Sequence, residues 1–222
     1  MPDQTAPLDW RDGIPVSSRF DDPYFSLQGG LAETRHVFLA GNGLPQRARP
    51  GFRVLELGFG TGLNFLVTLR ALRDAGTPGP LLYTSFEAFP MDPADRARAL
   101  RAFPEIAPEA AELEAALATP GPWRLGDVTL AIVHGDARAT LPAWDSGADA
   151  VYLDGFSPAK NPEMWEPSLL QAVARRIVPG GTLATYSAAG HVRRALAEAG
   201  LEVERRPGFG TKRHMTVARR PA

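Results

Sequence analysis

Apolar and polar positions along the chain alternate between two rhythms. Short, nearly continuous apolar runs recur at residues 52–58, 81–89, 128–136, 148–156 and 181–187. Between them, apolar residues recur at helical spacing. Residues 63–75 keep one apolar face and stop at Gly76, with Pro78, Gly79 and Pro80 behind it. Residues 93–103 and 108–118 each carry a proline near the start, where its missing N–H costs nothing. Residues 165–178 place Leu169, Leu170, Val173 and Ile177 on one face and end at Pro179-Gly180-Gly181. Residues 191–199 form the next helix, stopped by Gly200. Strand runs alternating with helices predict βαβ units and a parallel sheet buried on both faces.

After Gly200 the rhythm changes. Two strand-like runs, 201–206 and 214–219, follow each other with no helix between them, and predict a hairpin that closes the sheet. By fold analogy this is the plan of many S-adenosylmethionine methyltransferases. The expected class is therefore α/β and Rossmann-like, with a seven-stranded, mostly parallel sheet and a C-terminal antiparallel hairpin. Residues 1–50 read as an N-terminal extension with a helix at 31–40, and 51–222 as the core. No linker is long enough to split the chain, so one domain over 1–222 is expected.

Composition narrows the chemistry. With 222 residues, 44% of them hydrophobic, the chain can bury a full core. No apolar run approaches a membrane span, and the N-terminus MPDQTAPLDWRDG has no secretory apolar segment, so a cytoplasmic protein is expected. The absence of cysteine excludes disulfides, thiolate metal sites and a cysteine nucleophile. His36, His134, His191 and His214 are scattered without metal-ligand spacing, so no metal is expected. The net charge is −1, yet Arg193, Arg194, Arg205, Arg206, Lys212, Arg213, Arg219 and Arg220 crowd the last quarter. Such a cluster reads either as solvated helix and strand faces or as a phosphate-binding face.

The sharpest local motif is ELGFGTGLNF, residues 56–65. Gly58, Gly60 and Gly62 follow a strand and open a helix, where bare backbone lets N–H groups meet a ligand. A dinucleotide fingerprint would need glycine where Leu63 stands, which disfavours a nicotinamide enzyme. The pattern resembles instead the first motif of Rossmann-like methyltransferases. The next strand run carries Glu87, at the spacing where an acid meets ribose hydroxyls, and the third ends in Asp136, suited to an adenine amino group. Each acid taken alone also reads as a helix N-cap. Three acids at successive strand ends behind a glycine loop favour a ligand site.

The third of those acids, Asp154, lies in the stretch VYLDGFSPAKNPEMW, residues 151–165. Asp154 ends the fourth strand run. A carboxylate there can hold the methionine ammonium, or it can accept from an incoming amine, orient its lone pair and take a proton. An aliphatic amine has a reference pKa of about 10.4 and is mostly protonated near neutrality, so an amine acceptor needs a base or desolvation. Without a thiolate, covalent methylation at pyrimidine C5 by the usual route is unavailable, which points to an N or O acceptor or to a carbon activated in another way. Asn161-Pro162 reads as a helix start and Trp165 as core.

The stretches FDDPYFS, GLAETRHVFL, ELGFGTGLNFL, SFEAFP, YLDGFSPAKNPEMW, GGTLATYS and GFGTKRHM resemble the methyltransferase domain of MnmC, also found as the stand-alone MnmD enzyme. The similarity runs from about Asp9 to Arg219. It implies S-adenosyl-L-methionine-dependent methylation of the 5-aminomethyl group of a tRNA wobble uridine, giving 5-methylaminomethyl-2-thiouridine. It also implies residue roles. Glu56, Gly58, Gly60, Gly62 and Asn64 would contact the methionine side of the cofactor, Glu87 the ribose, and Asp136 with Ala137 the adenine. Asp154 would face the amine. Phe156, Pro158 and Lys160 would shape the uridine pocket, Tyr24 would cover the cofactor or base, and Lys212 and Arg213 would contact tRNA phosphate. The implied partners are the tRNA anticodon stem-loop and an upstream enzyme that makes the amine, such as the flavin-dependent oxidase that follows this domain in bifunctional MnmC. The chain is then either a stand-alone enzyme or an excised domain. Rival readings are a small-molecule N- or O-methyltransferase, an aminopropyltransferase, and a non-catalytic RNA-binding module.

Overall fold

The computed structural model describes residues 6–26 and 29–222. The first five residues, which begin the polar N-terminus read above, lie outside the described residues, as do residues 27 and 28.

The chain opens with a small antiparallel sheet: β1 (Leu8–Arg11), β2 (Ile14–Ser17) and β3 (Asp22–Pro23). Helix α1 (Gly30–Thr34) continues through a π turn (Arg35–Leu39) and a 3-10 turn (Ala40–Asn42). The core then alternates strand and helix: β4 (Arg53–Leu57), α2 (Leu63–Asp74), β5 (Leu81–Glu87), α3 (Pro93–Leu100) and α4 (Ala107–Leu117). There follow β6 (Trp123–Leu125), β7 (Val128–His134), α5 (Ala137–Thr140), β8 (Ala148–Leu153), α6 (Pro167–Arg176), β9 (Ile177–Thr185) and α7 (Gly190–Glu198). The chain closes with β10 (Glu202–Pro207) and β11 (His214–Arg219).

The large sheet runs β10-β11-β9-β8-β4-β5-β7-β6. β9, β8, β4, β5 and β7 are mutually parallel, while β10, β11 and β6 are antiparallel to their neighbours. The expected parallel core and C-terminal hairpin are present. The strand count is eight rather than seven, because Trp123–Leu125 turns back at Gly126 and pairs with β7 as an extra edge. The N-terminal sheet was likewise not foreseen; its strands span two to four residues and carry little apolar alternation.

Both faces of the large sheet are covered, which explains the continuous apolar runs. All six residues of β8 are buried: Ala150 and Tyr152 pack on the face bearing α2, Val151 and Leu153 on the face bearing α6. The helix read over 165–178 stops earlier. Ile177 pairs with Ala148 as strand, and the next paired residues, Ala150 and Thr182, bracket an irregularity that takes up Val178–Gly181. The Pro-Gly-Gly run is thus a strand irregularity, with Gly180 at φ 74°, and not a helix terminator.

The π and 3-10 turns after α1 cross close over the sheet. A Cβ on Gly41 would lie 2.7 Å from the Ala184 methyl, so only glycine permits that approach. Asn42 then reaches across, donating to the carbonyl oxygens of Phe38 (3.0 Å) and Val151 (3.3 Å). This crossing lays the two turns on β9 and leaves α1 packed against α2.

Candidate active site

A cavity of about 450 Å³ opens at the C-terminal ends of β4, β5 and β8, where open α/β sheets bind ligands. Its floor is the loop between β4 and α2. Gly58 (φ 92°), Gly60 (φ 53°) and Gly62 (φ 79°) all adopt left-handed backbone conformations that suit glycine. Gly58 and Gly60 line the cavity. Gly62 does not: it is the N-cap of α2, and a Cβ there would meet Phe59 at 3.0 Å and Leu113 at 3.1 Å. Its role is to let α2 start against the core.

Glu87, at the end of β5, lines the cavity with both carboxylate oxygens anchored. Gly60 N–H donates to Oε2 at 2.8 Å and Phe89 N–H donates to Oε1 at 2.7 Å. Burial raises its pKa, and the surrounding backbone N–H groups oppose that rise. Glu87 therefore clamps the glycine loop to the end of β5 while keeping lone pairs available.

Asp154 and Asn64 meet at the cavity wall. Asn64 Nδ2 donates to Asp154 Oδ2 at 2.7 Å and to Glu56 Oε1 at 3.0 Å, and its Oδ1 accepts from Thr34 Oγ1 at 2.9 Å. Asp154 lines the cavity, and burial pushes its pKa up to about 7, against the lowering effects of Asn64 and Lys212. A carboxylate near that value can accept a proton at neutral pH and release it again. Glu56 lies outside the cavity lining, fully buried beneath it. Ser85 Oγ donates to its other oxygen at 2.7 Å, and burial pushes it up to about 8. The expected ligand contact at Glu56 is corrected to a position under the floor, where it holds Asn64.

Asp136 also departs from its expected place. Its carboxylate caps α5, accepting from Arg138 N–H at 2.8 Å, and pairs with the Arg138 guanidinium at 2.6 Å. Gly135 and Ala137 line the cavity; Asp136 does not. The N-cap reading describes it better than the adenine contact.

The loop after β8 forms one wall. Phe156 stacks on Phe20 (4.9 Å, 29°) and meets Tyr24 edge-on (5.0 Å, 84°), so residues from the N-terminal segment close this side. Tyr24 sits over the glycine loop, with its ring edge 3.2 Å from where a Gly60 Cβ would lie. Pro158 and Lys160 lie outside the lining. The Lys160 ammonium instead binds the Asp21 carbonyl and faces the Asp21 and Asp22 carboxylates at 3.4 and 3.7 Å. It latches the loop to the N-terminal segment. Trp165 is core as expected, its Nε1 donating to the Phe156 carbonyl at 2.8 Å.

The opposite wall is the tip of the β10–β11 hairpin. Phe209 and Lys212 line the cavity, whereas Arg213 is exposed beyond the lining. Lys212 Nζ donates to Glu33 Oε1 at 2.6 Å and lies 4.1 Å from the centre of the Tyr186 ring. Tyr186 is held in place by its hydroxyl, which donates to the Gly155 carbonyl at 2.6 Å. Thr34, Glu33, Tyr186 and Phe209 were not singled out from the sequence. For Glu33 and Thr34 the local signal was GLAET, an acid in the first turn of a short helix, while Tyr186 and Phe209 lie within the stretches GGTLATYS and GFGTKRHM.

A fold of this kind, with a glycine loop and two acids at one strand-end cavity, defines a class. Residues 112–221 match the family model described as S-adenosyl-L-methionine-dependent methyltransferase, a stretch that contains Asp154 and Lys212. Residues 112–221 therefore belong to that methyltransferase family. The chain is 49% identical over 219 residues to the tRNA 5-methylaminomethyl-2-thiouridine biosynthesis bifunctional protein MnmC of Ralstonia nicotianae. It is 46% identical over 223 residues to the protein of that name from Chromobacterium violaceum. These alignments cover 95% of this chain but 33% and 34% of the relatives, so the chain spans about a third of their length. The crystal structure of MnmC2 from Aquifex aeolicus is similar with a TM-score of 0.78 and 26% identity, over 100% of this chain and 74% of that one. Among the described residues, no helix is long and apolar enough to cross a membrane.

Proposed function

We propose that this chain methylates the primary amine of a 5-aminomethyl group on the wobble uridine of tRNA, yielding the 5-methylaminomethyl product. The observation that carries the reading is Asp154, a carboxylate with a pKa near 7 that shares one cavity with the Gly58–Gly60 loop. The relatives named for 5-methylaminomethyl-2-thiouridine biosynthesis support the acceptor.

The cavity suits the cofactor. Gly58 and Gly60 leave a cradle without side chains: an added Cβ at Gly58 would strike the Asp154 carbonyl, and one at Gly60 would press on Tyr24. Glu87 offers acceptors fit for two vicinal hydroxyls, while Ala88, Phe89, Gly135 and Ala137 offer a flat, mostly apolar slot fit for a purine. When bound, S-adenosyl-L-methionine supplies an electrophilic methyl group. Asn64 fixes the Asp154 carboxylate by its 2.7 Å hydrogen bond. Asp154 accepts from the acceptor amine, orients its lone pair and takes a proton. Phe156 and Tyr24 flank the base, and the Lys160 latch keeps their loop in place. Arg213 with the neighbouring arginines meets tRNA phosphate.

The acceptor amine comes from an upstream enzyme, for which a flavin-dependent oxidase is the expected class. Residues 1–222 act as one methyltransferase domain in the cytoplasm. The test is nucleoside mass spectrometry on undermodified tRNA incubated with the protein and S-adenosyl-L-methionine. A gain of one methyl on 5-aminomethyl-uridine is expected; no gain would remove this reading.

A further inference from the structure

The family resemblance implied a phosphate contact at Lys212, but the side chain, 42% exposed, lies along the cavity rim and turns toward Glu33. Its ammonium is fastened on two sides, by Glu33 at 2.6 Å and by the Tyr186 ring face at 4.1 Å. Both partners are themselves fixed: Glu33 by the short helix α1, and Tyr186 by its 2.6 Å bond to Gly155, the residue after Asp154. The backbone around Lys212 is also closed, since Lys212 N–H donates to the Phe209 carbonyl at 3.0 Å and Gly208 N–H to the Arg213 carbonyl at 3.1 Å. Lys212, Glu33, Tyr186 and Asp154 all line the one cavity. A mobile phosphate-seeking lysine has no need of such a mounting.

Resting on the acceptor being an amine, we propose that Lys212 is a fixed cationic neighbour of the acceptor nitrogen, which keeps that nitrogen unprotonated and so nucleophilic. A positive charge beside an amine disfavours its ammonium form. Among the described residues, the other charged or titratable groups lining this cavity are Glu33 from α1, Asp154 after β8, Tyr186 after β9, Glu87 at the end of β5, and Arg19, Asp22 and Tyr24 from the N-terminal segment. Glu33 bonds Lys212 directly and partly offsets its charge. Asp154 feels Lys212 in the same sense as the amine, being held down toward ionisation. The two effects cooperate, since a deprotonated Asp154 is the form that accepts the proton.

The sign follows. Removing the lysine charge raises the pKa of the bound amine, so the ascending limb of the kcat–pH profile moves to higher pH. With Lys212→Met, the limb should move up by about half a unit to one unit, giving an about three- to tenfold loss at neutral pH that fades on the alkaline plateau. Lys212→Arg should keep the limb near its wild-type position. Binding of undermodified tRNA by Lys212→Met should keep the wild-type salt dependence, because the ammonium is engaged with Glu33 and not with phosphate. Retained calorimetric binding of S-adenosyl-L-methionine would show the variant folded. If Lys212→Met leaves the limb in place and flattens the salt dependence instead, the inference is overturned and Lys212 is a phosphate contact. A wild-type protein that fails to methylate aminomethyl-uridine tRNA would instead count against the acceptor itself.

Discussion

Asn64 directs the two N–H bonds of one side-chain amide to two different acids, Asp154 at 2.7 Å and Glu56 at 3.0 Å. The two acids differ in access: Asp154 opens into the cavity, while Glu56 is fully buried. The amide therefore ties the group proposed to move a proton to one sealed under the floor.

Replacing Asn64 by Leu removes the hydrogen bond that holds the Asp154 pKa down from its burial-raised position. The pKa then rises above about 7, and less Asp154 is ionised at pH 7. Turnover at pH 7 should fall by about tenfold or more, with partial recovery toward pH 9. A pH–rate profile whose shape matches the wild type would contradict this.

Asp154→Asn keeps the size of the side chain but cannot take a proton. Methyl transfer to aminomethyl-uridine tRNA should fall by about 10²–10⁴-fold, with an unchanged circular dichroism spectrum. Near-normal turnover in the nucleoside assay would remove Asp154 from its role.

Glu56 and Asp154 both have pKa values raised in the folded chain, from 4.5 to about 8 and from 3.8 to about 7. The folded state therefore binds more protons than the unfolded chain between about pH 4 and pH 8. Their contribution is fully present at acid pH and is lost as pH rises through the folded values. The cofactor-free protein should thus lose stability, on the order of a few kcal/mol, between pH 5 and pH 8.5. Glu56→Gln should flatten that decline and raise the melting temperature at pH 8.5 but not at pH 5. Parallel melting curves for both proteins across that range would refute it.

Gly58 carries a φ of 92°, and a Cβ there would collide with the Asp154 backbone carbonyl. Gly58→Ala should cost about 2–4 kcal/mol and weaken S-adenosyl-L-methionine binding. Denaturant unfolding with calorimetry checks both; wild-type values would mean that the loop relaxes freely.

The parallel core was legible because its strands are buried on both faces, leaving apolar runs with glycine or proline at their ends. The glycine loop was legible for a related reason: its left-handed backbone positions call for glycine in a fixed order, and the place of Asp154 beside it was legible as an acid directly after a strand run. Edge strand β6 was not, since three residues, Trp123–Leu125, hold too little pattern to separate from a turn. Asp136 and Lys160 show a second limit. Asp136 is an acid just past a strand end and Lys160 a cation in the loop after β8, but an intrachain partner, Arg138 or Asp21, takes up the charge of each. Sequence order states which acid ends a strand and not which arginine lies beside it. Lys212 belongs here too, since a basic run says nothing about which member pairs with Glu33 at the cavity.

The Glu56–Asn64–Asp154 chain also bears on engineering. Glu56 is next to last in β4, Asn64 lies in the first turn of α2, and Asp154 begins the loop after β8, so the proposed nucleotide and acceptor halves share one amide. Acceptor specificity cannot be exchanged by grafting the β8 loop alone. A transplanted loop would need Asn64, Glu56 and Ser85 carried with it, making the site a single transferable module rather than two.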